Sequence, residues 1–334
     1  MKGEPEMERT LILTSEDVQA RPARERVGLV VSSNPGGDAA TQVKTVIAAE
    51  AEGVRQVWST QSPVQDTLTA FAAAAVQTRD IRLGTAIIPT YSRHPLTMVA
   101  QALALDDLAP GRLRLGVGSS HRPIIEGTYG IKMVKPLQHL REYVQIVRAA
   151  LWKGKVDHQG IFFTVNATLP RIAQIPLLTS SLRENAFKQA GEIADGVLCW
   201  NCPVPYLLKI GLPALRASAQ AHGRPVPPLV AHVLAAVSED RPAVLSATRV
   251  QIQAYRKLPF YASMFADAGY PVGANGTPSN DLIASLVISG GARAITERFK
   301  ELLASGLDEL MVQLISVKQT ESELHQLMQL IGRL

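Results

Sequence analysis

The residues best equipped for chemistry stand where a short apolar run breaks off. Over residues 112–130, Leu113, Leu115 and Val117 alternate with Arg114 and Gly116, the period of a strand whose side chains point to opposite faces. After Gly118 the chain turns polar through Ser119, Ser120, His121 and Arg122, and Pro123 disfavours helix just before it. A buried strand that ends in glycines and hydroxyls lets a ligand meet bare backbone, although Gly and Ser dominate ordinary turns as well. Cys199 and Cys202 are the only cysteines. No second pair or nearby histidine turns their CxxC spacing into a zinc site, so no metal is expected. Pro203 and Pro205 stand where a redox dithiol needs the start of a helix.

Such residues need a scaffold, and the chain supplies alternating strand and helix signals. The run 27–32 is a strand, closed by the turn signal Asn34 to Gly37, and Asp38 caps a helix to residue 52. Strand 54–58 is followed by helix 66–77, and strand 81–88 by a helix over 95–108 that Pro95 opens. The central strand has its own helix over 136–152. An apolar excursion over 153–171 reads as a small hairpin. Strands over 175–179, 195–200 and 229–237 continue the pattern, with helices over 183–191 and 206–222. A long Gly- and Pro-rich stretch over 240–291 has the character of a lid, and a helix, a last strand (310–315) and a closing helix end the chain.

Eight such units predict an α/β fold, a parallel (β/α)8 TIM barrel in one domain over 27–334, with insertions after strands four and seven. Residues 1–26 read as a flexible extension. A doubly wound sheet is the competitor, but its dinucleotide fingerprint is missing, since His121 stands where the third glycine should follow Gly116 and Gly118. In a barrel the carboxyl ends of the strands share one mouth. That rule gathers residues 32–34 (Ser33 and Asn34 among them), 59–61 (with Thr60 and Gln61), 86–90, 118–122, 179–182 and 200–202, Trp200 first.

Composition narrows the function further. A chain of 334 residues, 46% hydrophobic, has material for one large domain or two ordinary ones. No apolar run reaches membrane-spanning length, and Lys2, Glu4, Glu6, Glu8 and Arg9 make the start too charged for a secretory signal, so the expected location is cytoplasmic. The net charge of +5 suits anionic ligands. Scattered basic residues without aromatic interleaving argue against nucleic acid.

Several strings carry a resemblance. IRLGTAIIPTYSRHP (81–95), LDDLAPGRLRLGVGSSHRP (105–123), KPLQHLREYVQIVRAALWKG (135–154) and AGEIADGVL (190–198) resemble the bacterial luciferase-like superfamily. SSHRPIIEGTYGI (119–131) and LPFYASMFADAG (258–269) are similar to its branch that uses the deazaflavin coenzyme F420. The resemblance implies a non-proline cis peptide between Ala86 and Ile87 at the end of the third strand. The ring of the coenzyme would rest there, beside Thr85, Gly116, Gly118, Ser119 and Ser120. It implies that the coenzyme's phosphate meets Ser180, Ser181 and Leu182 at a helix start, where free N–H groups favour an anion, with Arg183 and Lys188 adding charge.

The chain departs from the family pattern in two places. Thr60 and Gln61 stand where many deazaflavin enzymes carry Asp and His, and Ser119 where some carry a carboxylate. Without that acid–base pair, the resemblance points to a reductase acting on an activated C=C or C=N bond of a small organic molecule. In that reading His121 supplies a proton near neutral pH, while Ser120 or Gln61 orients the substrate. Ser33, Asn34, Thr60, Trp200 and Phe260 would contact it. His94, before Pro95, is expected to be structural. An FMN-dependent two-component monooxygenase, a non-catalytic flavin-binding relative and an aldolase or isomerase on an unrelated barrel remain alternatives. Relatives imply a homodimer.

Overall fold

Apolar runs flanked by turn residues become buried staves, as alternation with helices requires. A computed structural model describes residues 13–31, 38–255, 258–271 and 277–334. Twelve strands are described: β1 (Val27–Val30), β2 (Gln56–Ser59), β3 (Arg82–Thr85), β4 (Ile88–Pro89), β5 (Leu113–Gly118), β6 (Lys155–Gln159), β7 (Thr164–Thr168), β8 (Leu177–Ser180), β9 (Gly196–Cys199), β10 (Leu229–Ala236), β11 (Val287–Ser289) and β12 (Glu309–Leu314). Parallel pairing runs β1–β2–β3–β5–β8–β9–β10–β12 and back to β1, closing an eight-stave (β/α)8 barrel. The pairing of β6 with β7 is antiparallel and forms the small hairpin outside it. Strand β4 resumes beyond a cis Ala86–Ile87 peptide and pairs with the end of β5, Ile88 opposite Val117.

Helix boundaries follow their capping residues. The Asp38 and Asp66 carboxylates accept the N–H groups of Thr41 at 2.7 Å and Thr69 at 2.8 Å, starting helices Ala39–Ala51 and Thr67–Ala75. His94 Nδ1 accepts the Leu96 N–H, opening helix Pro95–Leu108, so this histidine is structural as expected. Between staves and helices lies the main core, with Leu29, Phe71, Tyr143, Phe187 and Phe299 fully buried. A second cluster fills the barrel interior: Trp58, Leu178, Leu198, Val230 and Met311.

Three expectations change. Residues 15–26, read as part of a flexible extension, form helices Ser15–Gln19 and Ala23–Arg26 against the barrel foot. Val18 is buried, Arg26 donates to the Leu307 and Asp308 carbonyls at 2.8 Å, and Ser15 Oγ donates to the Asp308 carboxylate at 2.6 Å. These polar and charged residues read as solvated only because their partners lie nearly 300 positions away. The stretch 240–291 is largely helical in its described part, through Arg241–Ile252, Pro259–Asp267 and Asn280–Leu286. Strand β11 then joins the upper part of β10. Finally, Arg122–Gly127 is a short helix despite Pro123, because proline is tolerated in a first helical turn.

Candidate active site

The carboxyl ends of the staves open into one cavity of about 930 Å³, at the upper end of what ligand sites occupy. Staves β3, β5 and β8 build one arc of its wall. There Ala86 and Ile87 form a shelf, Ser119 and Ser120 stand beside it, and Ser180, Ser181 and Leu182 continue toward helix Glu184–Ile193. Thr85, Gly116 and Gly118, expected to touch the ring, lie behind the wall. A Cβ on Gly116 would stand 1.9 Å from the Thr85 carbonyl oxygen, and one on Gly118 would meet Ser180 Oγ at 2.2 Å. These glycines are small because neighbouring staves approach them. Thr85 Oγ1 locks that approach, accepting from Gly116 N–H and donating to Gly116 O, both at 2.8 Å.

The far end of this arc suits an anion. Ser181 is 2% exposed and its backbone N–H is satisfied by Leu198 O at 2.9 Å, yet its Oγ has no hydrogen-bond partner among the described residues. No side chain caps helix Glu184–Ile193, and first-turn N–H groups have no partner inside a helix. A buried hydroxyl without a partner costs free energy unless a ligand completes it. Arg183 reaches the cavity and pairs with Asp267 at 3.4 Å. Lys188 does not reach it. It pairs with Glu184 and lines an outer groove with Arg141 and Glu192.

Opposite this arc stand Trp200, Tyr255, Tyr261, Phe260 and Gln313. His121 sits edge-on to Tyr255 and Tyr261, with ring centroids 6.3 and 5.7 Å away. Its imidazole has no hydrogen bond among the described residues, while its backbone carbonyl accepts from the Ile124 and Ile125 N–H groups. Burial lowers its pKa below the usual histidine value. At pH 7 it is a neutral imidazole, able to accept a proton or donate a hydrogen bond, and not the charged acid its residue type suggested. Burial raises the pKa values of Tyr255 and Tyr261, so their hydroxyls stay protonated. Trp200 Nε1 donates to Tyr255 Oη at 3.0 Å, which ties the β9 loop to the inserted segment.

Other expected residues divide between wall and scaffold. Thr60 and Gln61 line the cavity, but Gln61 Oε1 accepts the Thr67 N–H at 2.9 Å and its amide donates to Ser62 O. Gln61 therefore holds its own loop and is a poor candidate for orienting a substrate. Phe260 is 48% exposed at the mouth, whereas Tyr261, Met264 and Phe265 of the apolar segment around it are buried. Ser33 and Asn34 lie outside the described residues. Cys199 and Cys202 are free, buried thiols whose pKa values burial raises, which suits packing and not redox exchange. Among the described residues no helix is long and apolar enough to cross a membrane.

Three residues went unnoticed in the sequence: Tyr255, His232 and Gln313. A histidine inside the all-apolar run of β10 was the one available signal. His232 is buried, stacks on Trp200 at 3.7 Å and hydrogen-bonds Gln313 at 3.0 Å.

Comparison with known proteins fits this architecture. A protein of Mycobacterium tuberculosis bearing the name coenzyme F420-dependent oxidoreductase Rv3520c is 40% identical over 170 residues, 46% of this chain and 49% of the relative. The alignment thus spans about half of that protein. Among solved structures, the coenzyme F420 dependent tetrahydromethanopterin reductase of Methanopyrus kandleri superposes with a TM-score of 0.77 at 21% identity, covering 92% of this chain and 97% of its own. The FMN complex of the oxygenating constituent of 3,6-diketocamphane monooxygenase from Pseudomonas putida gives 0.72 at 17%, with the same coverage. At such identities the superpositions speak for the fold alone, a closed barrel. The model of the luciferase-like monooxygenase family matches residues 13–309, and with the match spanning nearly every stave, the chain belongs to that family.

Proposed function

We propose that this protein is a coenzyme F420-dependent oxidoreductase that reduces an activated C=C or C=N bond of a small organic molecule. The observation that carries the reading is the buried, unpartnered Ser181 hydroxyl beside an uncapped helix, in one cavity with the Ala86–Ile87 shelf. That pairing suits a tricyclic ring at one end and a phosphate at the other. When bound, the reduced deazaflavin supplies a hydride. Ala86, Ile87 and Ser119 would carry the ring, while Ser180, Ser181, Leu182 and the first turn of helix Glu184–Ile193 would hold the phosphate. Trp200, Tyr255 and Phe260 exclude water from the opposite side, and His121, with Ser120 beside it, offers an N–H or a proton-accepting nitrogen at the acceptor. The Mycobacterium tuberculosis relative's name supports deazaflavin over FMN. The same fold around FMN in the Pseudomonas putida monooxygenase favours the second reading, a two-component monooxygenase.

Mixing purified protein with the deazaflavin and, separately, with FMN tests the choice. The expected result is tighter deazaflavin binding, followed by its reoxidation on adding members of a panel of unsaturated carbonyl compounds and imines. Tighter FMN binding would sink the reading. Binding of deazaflavin without reoxidation by any acceptor would leave a non-catalytic carrier. The proposal includes a homodimer, which light scattering on the eluting protein would test.

A further inference from the structure

The half of the mouth built by β9, β10 and β12 contains a polar relay outside the residues proposed above to hold the coenzyme. The Asn201 backbone N–H donates to His232 Nδ1 at 3.4 Å. A backbone N–H can only donate, so Nδ1 is unprotonated and the ring proton sits on Nε2. Nε2 then donates to Gln313 Oε1 at 3.0 Å. With its oxygen taken, Gln313 is left with its amide N–H2 group, which has no partner among the described residues, while the residue itself lines the cavity. Burial lowers the His232 pKa to about 3, so this tautomer persists at any working pH. Stacking on Trp200 at 3.7 Å, with 16° between the rings, holds the imidazole plane.

The groups that share the cavity with Gln313 limit what it can meet. Trp200, Tyr255, Tyr261, Phe260, Gln251 and Met311 are uncharged, and Glu184 and Asp267 are carboxylates. Among the described residues lining the cavity, the one cationic side chain is Arg183, on the β8 side and already paired with Asp267. A carboxylate brought against Gln313 would lose its water without gaining a cation, which is costly, whereas a neutral carbonyl oxygen needs only the donor.

We propose that Gln313 is the substrate-recognising donor, set by His232 as a positioning residue, and that the acceptor is a neutral, planar molecule whose C=C bond is conjugated to a ketone, ester or amide carbonyl. This rests on the deazaflavin reading for the reduction itself, but recognition can be tested without the coenzyme. The probes are 2-cyclohexen-1-one and its charged counterpart 1-cyclohexene-1-carboxylate, titrated into the protein by ligand-observed NMR. The wild type is expected to bind the enone at least tenfold more tightly than the carboxylate. Gln313→Leu and His232→Leu should each weaken the enone about tenfold, the worth of one buried hydrogen bond. His232→Gln, whose amide nitrogen can donate in place of Nε2, should recover most of that loss. Deazaflavin affinity, followed by fluorescence, should stay within about twofold throughout. An enone that does not bind, that ignores Gln313→Leu, or that binds no better than the carboxylate overturns the proposal. If His232→Gln is no better than His232→Leu, the positioning role falls. If the enone follows Gln313 while the wild type binds no deazaflavin, the coenzyme reading fails and the recognition stands.

Discussion

At the foot of the barrel, Arg114 donates to both carboxylate oxygens of Glu309 at 2.9 and 2.7 Å and to Gln56 at 3.0 Å, and its guanidinium lies 4.8 Å above the centroid of the Trp58 ring. The Asp308 carboxylate accepts from Ser15, Gln19 and the Leu229 N–H. At the mouth, Ser181 Oγ is buried without a partner among the described residues, the neighbouring helix is uncapped, and the His121 imidazole sits edge-on to Tyr255 and Tyr261 with no hydrogen bond among the described residues. The same staves carry both ends. The foot pairs its buried charges within the chain, leaving the Trp58 indole N–H as an unpartnered exception, and so contributes stability, whereas the mouth leaves Ser181 Oγ and a helix end for a ligand and so supports binding at some cost to the empty fold.

If that division is right, substitutions at the two ends separate stability from affinity. The largest effect belongs to Glu309→Ala. It strands Arg114, whose side chain is 11% exposed, and removing one partner of a buried pair costs about 3–5 kcal/mol. Urea unfolding should show that loss, while the folded fraction keeps its deazaflavin affinity within about threefold. A comparable loss of coenzyme affinity would mean the two ends are coupled through Trp58 and would break the comparison. Next comes Ser181→Glu, which sets a negative charge against the proposed phosphate. Affinity of the folded fraction should fall about a hundredfold, a change of about 2.7 kcal/mol, over and above the unfolding free energy that the buried carboxylate itself costs. Unchanged affinity would place the anion elsewhere.

The arc of the mouth formed by β3, β5 and β8 was legible because its signals are local. Glycines and serines follow apolar runs there, Asp38 and Asp66 cap helices by contacts three residues on, and helix Pro95–Leu108 begins and ends where its sequence says it should. The opposite arc was not legible. Gln313 matters because β12 pairs with β10 in a register that sets Leu234 against it, a contact across some 80 positions that no local period announces. Tyr261 reads as core or lid in the sequence, and only the fold sets the β9 loop's Trp200 against Tyr255 and the β5 loop's His121 against both tyrosines. Residues 15–26 failed for the same reason, since the short hydrogen bonds of the Arg26 and Ser15 side chains go to Leu307 and Asp308, just before β12. Local chemistry reads well from sequence, and satisfaction across the barrel does not.

The smallest effect sharpens the comparison, because it asks whether one residue in the upper barrel behaves like the foot. His232 has both ring nitrogens satisfied and a pKa lowered to about 3 by burial. In the unfolded chain it titrates near the ordinary value of about 6.5. Below that pH the unfolded state takes up a proton that the folded state refuses, so stability is lost as pH falls, by up to about 1.4 kcal/mol per unit. Between pH 7 and 5.5 the wild type should therefore lose about 1 kcal/mol more unfolding free energy than His232→Gln, which has no imidazole to protonate. The other buried histidines, including His139 with its pKa lowered to about 4, are common to both proteins and cancel in the difference. Equal losses in the two proteins would mean that His232 already exchanges protons with solvent in the folded state. An imidazole that can do so cannot hold Gln313 in one orientation, and the upper barrel would then be soft where the relay requires it to be fixed.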